Sequence, residues 1–343
     1  MRITMKEIAK MAGVHRSTVD KVLHNREGVS DEVRLKIKKI IDKTGYTPNI
    51  LGQGLQKKNA IIEIAVILII SDALDMIREG MSQALKTYEG FDIRIAYYYT
   101  GYVDENAQAE ILEQLIEKRV DGIVISPINT DKIRSAINKA TDVGIPVVTT
   151  MNFDIPDSRR LCFVGQDTVK AGRIAASLMG SLLSGQGKVL LVAATEKGET
   201  ISYSEGRRVG FESMIEEEYP NIEIMGSVVG YDNLKVIESE TRTILCRKPL
   251  PDGILVTGGG AAVVGRLIKE LAHSHVVKAV CFERYPEIVE LIREGVINFT
   301  IDSDMINQGY LSIELLIYKT VYNRKPNESV IYTKNEILVK GSL

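Results

Sequence analysis

Two stretches of this 343-residue chain carry residue types that could do chemistry. The first is Gly13 to Asn25, GVHRSTVDKVLHN, which sets His15, Arg16, Lys21 and His24 on one short segment. Guanidinium and ammonium groups there can donate to guanine O6 and N7. The second is Ile254 to Gly260, ILVTGGG, a β-branched run entering three glycines, followed by an acid at Glu283. That order imitates a dinucleotide-binding fingerprint. It fails at the third glycine position, where Val263 stands, and it comes late in the chain. The better reading is backbone brought close to a ligand, with Glu283 accepting from its hydroxyls. Beyond these, His273 and His275 have no third metal ligand nearby, and Cys162, Cys246 and Cys281 form no CxxC pair. The residues therefore call for no metal and no cofactor, and no catalytic constellation is visible. The expectation is a binding protein, not an enzyme.

The basic segment needs a helix to present it. Thr4-Met5-Lys6-Glu7 has the form of a capping box, and Ile8, Ala9, Met11 and Ala12 follow at helical spacing. Gly13 ends that helix and permits a sharp turn. A second helix is predicted over about 16–23, with Val19, Val22 and Leu23 inward. Ser30 caps a third, with Asp31 and Glu32 in its first turn and Lys36, Lys38, Lys39 and Lys43 toward its end. This charge order suits the helix dipole, and Gly45 is the expected stop. Three short helices with a tight glycine turn describe a helix-turn-helix, whose second helix enters the major groove. The charge agrees. Whole-chain net charge is −2, but residues 1–59 hold nine Lys and four Arg against six acids, a net of +7, which leaves −9 for the remainder. A basic head on an acidic body is the distribution of a nucleic-acid-binding module joined to something else.

The run TMKEIAKMAGVHRSTVDKVLHNREGVSDEVRLKI, followed by GYTPNILGQGL, strongly resembles the head of the lactose-repressor (LacI/GalR) family of bacterial transcription regulators. The resemblance implies a helix-turn-helix head and a sugar-binding body like that of periplasmic binding proteins. It implies that Arg16, Ser17 and Lys21 read bases, and that Thr18 and Asn25 touch the DNA backbone; Thr4 and His15 join this set. It also implies that residues 47–59 form a hinge helix on the operator, with Leu55 wedged into the minor groove. Gly52 and Gly54 lower the helix propensity of that segment. Two positions depart from the family: His15 and Asp20 each stand where Ser is usual. His is a weaker cap than Ser. Asp20 either accepts from a cytosine N4 or turns toward Arg16 or Lys21.

From residue 60 the pattern becomes short β-branched runs alternating with amphipathic ones, the signature of parallel α/β sheets. Strands are predicted at 64–70, 93–98, 122–126, 147–150, 188–193, 223–229, 253–257, 278–282 and 298–301. An internal echo links VDGIVIS at 120–126 to PDGILVT at 251–257 and suggests two similar lobes. Lobe 1 is expected at about 60–164 plus part of 299–325, and lobe 2 at about 168–298 plus the C-terminal segment. The fold class is thus a three-helix head (1–46), a hinge (47–59) and a two-lobed body with parallel sheets (60–343). Ligands of such bodies lie between the lobes at the C-terminal ends of strands.

The resemblance continues more loosely through VDGIVISP, GIPVVT, SRRLCFVGQD and EGRRVGF, nearest to ribose-type binding proteins. It places effector contacts at Ser71, Asp72, Asn129, Met151, Asn152, Arg207, Gly259, Glu283 and Ser303, with Arg207 as a hydroxyl-binding arginine. Met151, Gly259, Glu283 and Ser303 stand where many relatives have Asp, Asn, Asp and Gln, and the first loop lacks a pair of stacking aromatics. Phe153, Tyr203 and Phe282 are the substitutes for stacking, Phe282 being better suited to the core. Tyr97 to Tyr99 read as packing or dimer surface, and Glu216 to Glu218 as a solvated helix face. The expected protein is a cytoplasmic homodimer that binds an operator and a sugar- or polyol-like effector. It shows no signal peptide, membrane span or leucine-heptad tail for a tetramer. The rivals are a solute-binding protein without DNA function and a nucleotide-binding enzyme using Gly258 to Gly260.

Overall fold

A computed structural model describes the chain except residues 1–4, 24–27, 45–60, 102–103, 194–202, 231–232, 272 and 274–275. It divides into a head within residues 1–60 and a body from Ile61 onward.

The head consists of α1 (Met5–Ala12), α2 (Arg16–Leu23) and α3 (Asp31–Thr44). Gly13 closes α1 with φ +70°, and the Val14 amide reaches back to the Ala9 carbonyl at 3.0 Å. This six-to-one bond satisfies a helix-end carbonyl and folds Val14 onto the core. Ile8, Ala9, Ala12, Val19, Val22 and Ile37 form that core, with Val14, Val29 and Val33 against it. Met11, expected inward, is 53% exposed. At three residues beyond Ile8 it falls on the flank of a helix only two turns long, where α2 and α3 do not cover it.

The body has two six-stranded sheets. The first contains β1 (Ile61–Ile69), β2 (Asp92–Thr100), β3 (Gly122–Ile125), β4 (Val147–Thr149), β5 (Cys162–Gly165) and β11 (Val330–Tyr332), in the order β2-β1-β3-β4-β5-β11. The second contains β6 (Gln186–Ala193), β7 (Asn221–Val229), β8 (Gly253–Val256), β9 (Lys278–Phe282), β10 (Phe299–Asp302) and β12 (Glu336–Leu338), in the order β7-β6-β8-β9-β10-β12. The two orders are the same, position for position. The echoed segments fall on β3 and β8, which hold equivalent places. One difference breaks the symmetry: β11 runs parallel to β5, whereas β12 runs antiparallel to β10.

Helices α4 (Leu74–Thr87), α5 (Glu105–Lys118), α6 (Asp131–Asp142) and α12 (Met305–Tyr322) belong to the first lobe. The second holds α7 (Thr168–Leu182), α8 (Tyr203–Glu218), α9 (Leu234–Leu245), α10 (Ala261–Glu270) and α11 (Pro286–Arg293). The chain passes between lobes three times, at 165–168, 302–305 and 332–336. Of the 299–325 stretch only α12 packs on the first sheet, because 299–302 is β10 of the second.

Each lobe contains one helix pair packed through facing glycines. A Cβ at Gly172 of α7 would overlap the Arg207 carbonyl, and one at Gly210 of α8 would overlap that of Val169. In the first lobe Gly80 of α4 and Gly309 of α12 do the same to Ile306 and Ile77. These contacts bring α8 and α12 close to their partners and so place Arg207 on α8 and Gln308 on α12.

Candidate functional site

In the head, His15 sits just before α2 and acts as its cap. Its Nδ1 accepts from the Ser17 backbone N–H at 3.3 Å and lies 2.8 Å from Ser17 Oγ. The imidazole nitrogen thereby does what a Ser oxygen usually does at this place. Ser17 and Lys21 are exposed on α2, and Thr18 is half-buried beside them. Arg16 opens the helix. Thr4, Asn25 and Leu55 lie outside the described residues, as do the side chains of Arg16 and Asp20.

In the body a cleft of about 240 Å³ opens between the lobes at the C-terminal ends of the strands. Lobe 1 contributes Ser71, Asp72 and Ala73 after β1 and Met151, Asn152 and Phe153 after β4. Lobe 2 contributes Tyr203 and Arg207 of α8, Gly258 to Gly260 after β8, and Glu283 and Tyr285 after β9. Phe153 meets Tyr203 edge-to-face across the lobes, with ring centroids 5.4 Å apart.

Arg207 is fully buried. Its guanidinium lies 4.0 Å from the Phe282 ring centroid and 4.9 Å from that of Tyr203. Nε and Nη2 donate to Gln166 Oε1 at 2.9 and 2.7 Å, Nη1 donates to the Thr257 carbonyl at 3.1 Å, and Nη2 also pairs with Glu283. Four of its five N–H groups are thus spent inside the protein. Arg207 also lines the cleft, and most of its donors hold Gln166, Thr257 and Glu283. The second Glu283 oxygen accepts from Ser303 Oγ at 2.7 Å. Each carboxylate oxygen keeps lone-pair capacity, and the side chain forms part of the cleft wall.

Four non-glycine residues here have left-handed backbone: Met151 (φ +62°), Asn152 (+64°), Glu283 (+72°) and Asp304 (+57°). Such conformations cost on the order of 1–3 kcal/mol each and gather at functional sites. Met151 and Asn152 leave β4, and Glu283 leaves β9, the equivalent strand of the other sheet. All three residues line the cleft between the lobes.

Helix capping follows the cleft. Helices α5, α6, α7, α9 and α12 are each capped by a side chain, from Asp104, Thr130, Asp167, Asn233 and Asp304. None of those residues lines the cleft. Ala73, Gly260 and Tyr285, which precede α4, α10 and α11, do line it and provide no side-chain cap. A helix start without a side-chain cap leaves amide donors that a ligand can use. The cleft therefore combines amide donors with carboxylate acceptors on Asp72 and Glu283, and a hydroxyl group satisfies both kinds.

Two expected contacts are not in the cleft wall. Asn129 does not line it, and its Oδ1 accepts from Arg134 Nη2 at 3.3 Å. Ser303 lies behind Glu283, on the second interlobe crossing. Leu234, Tyr285 and Met305 line the cleft without having been singled out in the sequence. The only signal for them was position: each flanks the start of a helix. Burial holds the Tyr285 hydroxyl well above its ordinary range, with Glu283 and Asp72 adding to the effect. Behind the wall Asp302 is 7% exposed, and one of its oxygens has no partner. Burial first, and the Glu283 charge second, raise its pKa to about 6.

Among the described residues no cluster of three or more His, Cys, Asp or Glu could hold a metal. His273 Nε2 lies 3.0 Å from the Leu245 carbonyl. Glu217 is not merely solvated but makes a two-pronged pair with Arg173 of α7.

Residues 66–320 match the family model of the periplasmic binding protein domain, and residues 4–49 that of the bacterial regulatory proteins of the lacI family. The chain belongs to the periplasmic binding protein domain family and carries a lacI-family head. The lacI match spans α1 to α3, and the binding-protein match runs from β1 into α12. A Catabolite control protein A from Streptococcus mutans is 27% identical over 52% of this chain and 51% of its own. A Ribose operon repressor from Lactococcus lactis is 25% identical over 84% of this chain and 80% of its own. The chain thus spans about half the length of the Catabolite control protein A relatives it matches. A sugar-binding protein of a Bacillus halodurans sugar ABC transporter superposes with a TM-score of 0.71 at 25% identity, covering 81% of this chain and 97% of that one. A Burkholderia graminis solute-binding protein, solved with D-arabinose, reaches 0.75 at 23% identity over 82% and 96%. It shares the fold. The lacI-family head is what separates this chain from a plain solute binder, whose body alone would not need it.

Proposed function

We propose that the chain is a sequence-specific DNA-binding transcription regulator, a repressor, controlled by a small sugar or polyol bound between its two lobes. The observation that carries this is the pairing, on one chain, of a lacI-family helix-turn-helix with a cleft that mixes helix starts lacking a side-chain cap with the carboxylates of Asp72 and Glu283. In this reading Arg16, Ser17 and Lys21 read base edges, Thr4, Thr18 and Asn25 meet phosphates, His15 holds the start of the reading helix, and Leu55 enters the minor groove. Asp72, Glu283, Ser71, Asn152 and the backbone at Gly259 meet the effector, while Arg207 and Ser303 hold Glu283 in place. The protein acts as a homodimer in the cytoplasm on a near-palindromic operator, whose symmetry mirrors its own. Among the described residues no helix is long and apolar enough to cross a membrane.

DNA and effector then alter each other's affinity by the same factor, on the order of 1–3 kcal/mol. The test has two steps. A thermal-shift screen of the full chain against sugars, polyols, sugar phosphates and purines finds the effector, since a ligand at ~100 times its Kd contributes ~2.7 kcal/mol. Duplex binding is then measured with and without the hit. A ligand that stabilises the chain but leaves DNA affinity unchanged would sink the regulatory reading. Binding to duplex DNA that does not weaken with salt would sink the DNA reading.

A further inference from the structure

One buried amide touches two of the three interlobe crossings directly and reaches the other through its partners. Gln308, on α12, is fully buried and lines no part of the cleft. Its Nε2 donates to Asn152 Oδ1 at 2.9 Å and to the Ser303 carbonyl at 2.9 Å, and lies 3.3 Å from Thr333 Oγ1. Ser303 belongs to the second crossing and Thr333 to the third. Thr333 in turn reaches the first crossing, its N–H donating to the Gly165 carbonyl at 2.8 Å. Thr333 Oγ1 donates to the Ser303 carbonyl at 2.7 Å. Asn152 closes the circuit: its Oδ1 also accepts from the Gln166 N–H at 2.8 Å, and its Nδ2 lies 3.3 Å from Ser303 Oγ. Gln166 and Ser303 then lead to Arg207 and Glu283 in the cleft wall.

The same amide carries an unusual cost. Gln308 Oε1 is buried and has no hydrogen-bond partner. A buried acceptor without a partner loses its hydration with no return. A methionine or leucine of similar volume would avoid that cost, so stability alone does not account for a glutamine here. We propose that Gln308 is a positioning residue that fixes the angle between the lobes by tying the three crossings to one another and to the cleft wall. It acts through Asn152 and Ser303 and touches no ligand. The assignment concerns the lobes themselves and does not depend on what the cleft binds.

The test uses the full chain and needs no effector. Hydrogen exchange is followed in wild type, Gln308→Met and Thr333→Val, together with thermal midpoints. The amides of Gln166 and Thr333 are the reporters, because their acceptors are Asn152 Oδ1 and the Gly165 carbonyl. Gln308→Met is expected to speed exchange in segments containing those two amides by at least about tenfold, with the sheet interiors unchanged. Its thermal midpoint is expected to hold or rise, since the orphan acceptor is gone. Thr333→Val, which keeps the side-chain shape, gives the same local signature. Exchange that is unchanged at the crossings overturns the proposal. So does exchange that rises everywhere with a falling midpoint, which is the behaviour of an ordinary core residue.

Discussion

Replacing Asp302 by Asn is expected to stabilise the protein near neutral pH and to leave it nearly unchanged near pH 4. Asp302 ends β10, at the second crossing, is almost wholly buried, and has one oxygen without a partner. Burial and the nearby Glu283 charge lift its pKa from 3.8 to about 6, against weaker opposing help from Arg284 and the Asp304 amide. The sign is the reverse of that for a salt-bridged carboxylate. A raised folded pKa means that the folded chain holds the proton more tightly than the unfolded chain. Between about pH 4 and pH 6 the native state therefore binds more protons, and stability falls as pH rises through that window. Above pH 6 the cost is complete. About two pKa units at 1.36 kcal/mol each give roughly 3 kcal/mol. Asn keeps an oxygen for the Asp304 amide and carries no charge, so this slope disappears. Urea unfolding of both proteins at half-unit steps from pH 4 to 7.5 measures the difference. The two stabilities should converge at the acid end and separate by up to about 3 kcal/mol at pH 7. Parallel curves, or an Asn variant that is the weaker at pH 7, would refute the reasoning.

Three further outcomes follow from the packing and the site. Arg207→Ala should cost about 3–5 kcal/mol in a denaturation experiment, because Glu283 is left charged and buried; a loss under 1 kcal/mol would mean that solvent reaches the carboxylate. Gly172→Ala should force α7 and α8 apart and destabilise by about 1–3 kcal/mol, with any ligand affinity falling as Arg207 moves; an unchanged melting curve would show that the helices have slack. Lys21→Ala should relax base preference in selection from random duplexes, by about 1–3 kcal/mol at one position per half-site, if it reads a base. If it meets phosphate instead, affinity falls uniformly and the salt slope drops by about one.

Much of the architecture was written locally. The three head helices, Gly13 as the turn and nine of the twelve body strands follow from spacing, capping and β-branched runs, as does the echo that lies on β3 and β8. The strands that escaped are β5, β11 and β12, of four, three and three residues. β11 and β12 are edge partners of their sheets and become strands only where β5 and β10 supply hydrogen bonds. His15 was read as a weaker cap than Ser, and in the structure its ring nitrogen stands at that place, 3.3 Å from the Ser17 amide.

The site divides in the same way. The family resemblance placed Ser71, Asp72, Met151, Asn152, Gly259 and Glu283 at strand ends and Arg207 on a helix, and all seven line one cleft. The resemblance could not say what each does there. Arg207 is turned inward by Gln166, Thr257 and Glu283, which lie 41, 50 and 76 positions away in the chain. Gln308 reads in sequence as one of several polar residues on its helix, beside Asn307 and ahead of Ser312, Glu314 and Lys319. Its partners at Asn152 and Thr333 lie 156 and 25 positions away. Periodicity and capping act over a turn or two of chain, so the sequence by itself determines elements and the ends at which side chains emerge. Which donor meets which acceptor is decided when the sheets and crossings pack, since only then is each buried group removed from water and forced to find a partner.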